Sequence, residues 1–189
     1  TALTSLTTNA LGTTVLGGNV TTTGVQTYND AAQLAGASTT LAGSTVTFSN
    51  ILNSQSGETN ALTITGAGVF NGNVGDTDLL STLSVSGAST LAGNISTTGA
   101  QTYTGAATVS KILSNQSGNM TFGSTLNVAD TSVLKSDNFA FNGGDASVSG
   151  SARLTLLPYT SAANVEIGST AGTNKITVTP FNNYAGLLA

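Results

Sequence analysis

The sequence contains no cysteine and no histidine, which excludes disulfide staples, thiolate metal sites and any imidazole base or ligand. Charge is nearly as scarce, with 6% of residues ionisable against about 25% in ordinary soluble domains. The four basic residues, Lys111, Lys135, Arg153 and Lys175, are scattered and form no stripe able to follow a phosphate backbone. Nucleic-acid binding is therefore not expected. No run of about 18 apolar residues occurs, so no membrane-inserting helix is expected either. Aromatic residues amount to 5%.

Thr, Ser, Asn and Gly fill the gap, residues that hydrogen-bond without ionising and fit narrow turns. At 39% hydrophobic and a net charge of −4, the chain lacks the low hydrophobicity and high charge that mark disorder. Its 189 residues suffice for one domain with a real core, and no shift in composition marks a second. It opens at Thr1 without a basic-then-apolar leader, and both ends read as mid-chain text. The expectation is one segment, 1–189, of a longer chain, with internal repeats near 18–57 and 93–118.

Repetition dominates the sequence. The stretch 18–28, GNVTTTGVQTY, recurs at 93–103 as GNISTTGAQTY, an offset of 75, with eight of eleven positions identical. A second pair, SNILNSQSG at 49–57 and SKILSNQSG at 110–118, lies at an offset of 61. The first copy is thus longer by 14 than the second in the stretch between Tyr28 and Ser49. GAST also recurs at Gly36 and Gly87, each time just before Leu-Ala-Gly. Stacked coils absorb such slips, because each coil touches only its neighbours.

Short β-rich runs follow one another every six to ten residues from 3–7 to 175–179, separated by turn-forming Gly, Asn, Asp and Ser. This predicts an all-β parallel solenoid with three strands per turn and about 20 residues per coil. About nine coils would make a rod of about 45 Å. Inward positions are expected at Leu16, Val20, Leu41, Phe48, Ile64, Leu91, Ile95, Ile112 and Phe122. An antiparallel β-sandwich is the alternative, since it too gives many short strands with turn signals. Residues 29–37, NDAAQLAGA, form the best helix candidate, with Asn29 or Asp30 as N-cap.

The duplicated GNxxTTGxQTY, the following TLAGSTVTF at 40–48 and RLTLLPYTSAANVEIGSTAGTN at 153–174 make the chain resemble a known family. These are the large bacterial surface proteins of filamentous-haemagglutinin type, exported by two-partner secretion or as autotransporters and built from β-strand repeats. The resemblance implies a right-handed parallel β-helix, an extracellular or cell-surface location and a role as an adhesive or structural fibre. It implies no catalytic residues. The match is to the repetitive shaft, and no secretion-signal domain of the family is recognisable, which leaves the export route open.

Candidate sites follow from the residues. Polysaccharide-acting enzymes on β-helices need paired carboxylates, and the carboxylates here are Asp30, Glu58, Asp76, Asp78, Asp130, Asp137, Asp145 and Glu166. Only Asp76 and Asp78 are close in sequence, in a GDTD that reads as a polar turn, so the enzyme is the rival reading and a non-catalytic chain without cofactor is preferred. Calcium-binding nonapeptides appear only as the fragments Gly75-Asp76-Thr77-Asp78 and Gly143-Gly144-Asp145, and no metal is expected. The pairs Thr21/Thr23, Thr45/Thr47, Thr63/Thr65 and Thr177/Thr179 each put two hydroxyls on one side of a strand, as an ice-binding surface requires. Their irregular intervals argue against alignment into one column. Four Asn-X-Ser/Thr sequons, at Asn19, Asn94, Asn115 and Asn119, are expected by chance in so Asn- and Thr-rich a chain.

Gln26 with Tyr28 and Gln101 with Tyr103 are the candidate surface contacts, placed to stack on sugar rings at intervals along a rod. The competing expectation is that each ring closes a coil end while its hydroxyl reaches water. Together these readings predict an extracellular fibre or adhesin shaft segment. It would self-associate end to end or laterally through exposed strand edges, with surface carbohydrate the other candidate partner.

Overall fold

In a computed structural model of the chain, residues 2–144 and 146–161 are described in full, and 164–167 and 175–179 as backbone strands. The fold is an all-β solenoid of about 8 turns, with no helix among the described residues. Among the described residues every strand pairing is parallel, which excludes the antiparallel sandwich.

Each full turn crosses three faces in the same order. Face one begins with Leu6–Thr7 and continues through Gln26–Tyr28, 45–48, 67–70, Ser89–Leu91, Ala107–Val109, Leu126–Val128 and Val148–Gly150. Face two holds Thr13–Leu16, Ala31–Leu34, Leu52–Ser54, a single bridge at Val74, Ile95–Thr97, Ile112–Asn115, Ser132–Lys135 and Leu154–Leu157. Face three holds Val20–Thr21, 38–42, 61–65, Leu83–Val85, Gln101–Tyr103, Met120–Phe122 and Asn138–Phe141, with Lys175–Thr179 paired beyond them. At the parallel strand spacing of about 4.8 Å, eight coils make a stack about 38 Å long.

Coil length varies while face register does not. Ser89 pairs with Ala107 and Leu41 with Ile64, steps of 18 and 23 along the chain. The difference is taken up at the corners, so each strand keeps its alternation and presents its apolar residues inward. Aligned rings fill the interior: Tyr28, Phe48 and Phe70 stack on face one with centroids 5.0 and 5.7 Å apart. Tyr103, Phe122 and Phe141 do the same on face three at 5.4 and 5.5 Å. Such offset stacks add about 0.5–1.5 kcal/mol per pair to the burial of the rings.

The corner between faces three and one is a column of glycines, Gly24, Gly43, Gly66, Gly87, Gly105 and Gly123. There the chain turns against the backbone of the preceding coil, and a Cβ on Gly24 or Gly43 would stand 2.7 Å from a carbonyl oxygen. At Gly66 a Cβ would overlap the carbonyl of Gly43, and φ is +126°, a left-handed backbone that favours glycine.

Two sequence expectations are corrected. Residues 29–37 form no helix; Ala31–Leu34 is a strand paired on both sides, with Ala32 and Leu34 in the core. Ladder pairing between two neighbours outweighs the mild helix preference of Ala, Gln and Leu. Ile112 is 47% exposed and Leu113 takes the inward place, a slip by one position that reverses the side-chain alternation. Of the other expected inward residues, Val20 packs partly buried against the core and the rest are buried.

Candidate functional site

The repeated motif builds one and the same corner twice. In the second copy the Thr97 hydroxyl donates to the Gly99 carbonyl at 2.6 Å, closing the turn. Gln101 points inward beyond it, and its Nε2 donates to Thr97 Oγ1 at 3.2 Å and to the Ser114 carbonyl of the next coil at 2.8 Å. Its Oε1 in turn accepts the Tyr103 hydroxyl at 3.0 Å. The first copy repeats each step: Thr22 to Gly24, Gln26 Nε2 to Thr22 and to the Ala42 carbonyl of the next coil, Tyr28 to Gln26 Oε1.

Gln26, Tyr28, Gln101 and Tyr103 are each 0% exposed, so none of the four candidate surface contacts is available to a sugar. The packing expectation holds for the rings, but each hydroxyl is satisfied by glutamine rather than water. Buried polar atoms need such partners, and the motif supplies them from within itself.

The copies sit at different corners. In the first, Val20–Thr21 lies on face three and Gln26–Tyr28 on face one; in the second, Ile95–Thr97 lies on face two and Gln101–Tyr103 on face three. The offset between residues 18 and 93 is therefore not a whole number of coils, and the motif is displaced by one face. The extra stretch after the first copy supplies the two faces that this displacement inserts before the next matching segment. The offset of 61 is in phase: Leu52 pairs to Val74, Val74 to Ile95 and Ile95 to Leu113, three coils on.

Burial pushes the Tyr28 hydroxyl up from its ordinary 10.0 to about 12, and Tyr103 higher still. A phenol whose proton is held more tightly in the folded state contributes stability below pH 10.0 that is lost as pH rises through its folded value. Stability should thus fall steadily above that pH. An ultraviolet titration of the Tyr159→Phe, Tyr184→Phe variant, in which Tyr28 and Tyr103 are the two remaining tyrosines, should show no ionisation near pH 10 while the protein is folded; ionisation there would contradict their enclosure.

The carboxylates are divided among corners. Asp30, 4% exposed, accepts the Thr8 hydroxyl at 2.7 Å and the Thr14 hydroxyl at 2.8 Å. Burial raises its pKa, but these bonds and its own N–H outweigh that and hold it below the usual carboxylate value. Its contribution is therefore present above the unfolded value and lost as pH falls through the carboxylate range. Acidification, or Asp30→Ala at neutral pH, should release hydrogen-exchange protection at Thr13–Leu16 before Ala107–Val109. Equal loss at both would refute the assignment.

Asp78 accepts the Gly57 N–H, Asp76 accepts from Asn73, and Glu58 accepts from Asn60, all at the corner between faces two and three. Among the described residues no group of three or more His, Cys, Asp or Glu could hold a metal ion. Asp145 and the side chains of Glu166, Thr177 and Thr179 lie outside the described part of the structure. Of the sequons, Asn115 is buried, and Asn19 and Asn94 accept the next coil's N–H groups of Thr40 and Ile112 at 2.8 and 3.2 Å.

The Thr45/Thr47 pair lies on face one and the Thr63/Thr65 pair on face three, so these two pairs share no column, as expected; other threonines do align. On face one the outward column runs Thr7, Thr27, Thr47, Val69, Thr90, Thr108, Asn127, Ser149. Face three carries Thr40, Thr63, Ser84, Thr102 and Thr121 in one column. Charge is segregated from both. Asp30, Lys111, Asp130 and Arg153 lie between faces one and two; Glu58, Asp76, Asp78 and Asp137 between two and three; Lys135 on face two itself. Among residues 2–144 and 146–161, faces one and three bear no charged side chain.

No family model matches the sequence, and no curated protein or solved structure matches it.

Proposed function

We propose that the chain is a non-catalytic shaft segment of an extracellular fibre or adhesin, of the filamentous-haemagglutinin kind that its repeats resemble. The observation that carries this reading is the succession of parallel ladders on all three faces, with face two narrowing to a single bridge at Val74, over a single core. Such a body extends by adding coils, each contributing about 4.8 Å of reach, without any change in fold. The polar residues at its corners support the same reading, because Gln26, Gln101, Asn19 and Asn94 are engaged in joining one coil to the next.

Antibodies raised against the purified chain test this on the cells that produce it. Labelling of intact cells, along projections, is expected. Labelling that appears only after permeabilisation would reject the extracellular shaft.

A further inference from the structure

We propose that face one is a lateral docking surface for a second copy of this chain, its hydroxyl column meeting the same column of the partner. The inference rests on the shaft reading and names its contact surface. Two observations carry it. The first is charge: six described carboxylates against three basic groups surround face two, while face one has neither sign. Two copies meeting through the strands of face one place no ion within the contact and leave Asp30, Lys111, Asp130 and Arg153 at its edge. The acidic corner of Glu58, Asp76, Asp78 and Asp137 stays on the far side.

The second is period. Thr27 with Thr47, and Thr90 with Thr108, are at least partly exposed and adjacent at the strand spacing of about 4.8 Å, with Val69 one step between the two pairs. Threonine is stiff at χ1, so the column is rigid. A surface of fixed repeat is matched along its whole length only by a partner carrying the same repeat, which a second copy does by construction. Sheets face each other at about 10 Å, which lets such columns interdigitate.

Area sets the strength. Three residues by eight coils is about 400 Å² per copy, half of the roughly 800 Å² per partner in a standard stable interface. The segment alone should associate weakly, and longer shafts more tightly in proportion to coils in register.

Sedimentation equilibrium of the purified chain up to about 1 mM reads this directly. The native protein should pass from monomer to dimer, and Thr47→Lys with Thr90→Lys should lower the association constant at least tenfold through like-charge repulsion. Gln33→Lys with Ser114→Lys, on face two, should leave it unchanged, and circular dichroism confirms that all three proteins are folded. A native chain that stays monomeric, or equal loss in the face-two variant, overturns the proposal while leaving surface labelling of the shaft unaffected. Thermal hysteresis from a monomeric native chain also overturns it, by assigning the hydroxyl column to ice.

Discussion

Gly66→Ala is expected to destabilise the solenoid by about 3–5 kcal/mol, combining a left-handed backbone at a non-glycine residue with forced separation of packed coils. The added methyl would overlap the Gly43 carbonyl, and both neighbours are backbone, which cannot swing aside as a side chain would. Because the site lies mid-stack, the damage should also divide the chain into two cooperative units. Urea denaturation should then show an early transition absent from the parent. Gly17→Ala is the control: nothing lies within 4 Å of its Cβ position and its φ is ordinary, so a change within about 0.5 kcal/mol is expected. If Gly66→Ala melts within that same margin of the parent, the close approach of coils at the glycine column is wrong.

That column shows where sequence reading reached its limit. The short β runs, the glycine-punctuated turns and the slipping offsets were sufficient to predict parallel coils of about 20 residues, and the ladders follow that prediction. Yet Gly24, Gly43, Gly66 and Gly87 are spaced 19, 23 and 21 apart, which looks irregular until the corners are known. The threonine columns were hidden for the same reason. Thr47 and Thr90 share a column because the corners take up every difference in coil length. A fixed-period search sees the sum of strand and corner, whereas only the strand is fixed.

Phase was the second obstacle. The identity of residues 18–28 and 93–103 invited the expectation of equivalent places on a rod, but one copy turns from face three to face one and the other from two to three. A corner bonded within itself, through Thr, Gly, Gln and Tyr, fits wherever two strands meet, so sequence identity marks the kind of corner and not its position. The buried glutamines carry no signal at all in a single sequence, since Gln is ordinarily exposed. Ile112 illustrates a smaller loss: in SKIL, two adjacent aliphatic side chains compete for one inward place, and alternation alone does not choose between them.

The self-bonded corner makes a quantitative claim of its own. Gln101→Leu should cost about 3 kcal/mol, because it leaves the Tyr103 hydroxyl buried without an acceptor and removes the donor to the Ser114 carbonyl of the next coil. Tyr103→Phe should cost about 1–2 kcal/mol, leaving Gln101 Oε1 without its donor. The double variant should cost about 1–2 kcal/mol less than the two single costs combined, since the second change removes the partner that the first stranded. The same cycle on Gln26 and Tyr28 separates two physical pictures. If the corner is stabilised by its internal bonds, both cycles give coupling of the same sign and similar size, although the copies lie on different faces and stack on different rings. If coupling is found at Gln101 and Tyr103 alone, the surroundings rather than the motif hold the corner, and its recurrence has no structural cause in these bonds.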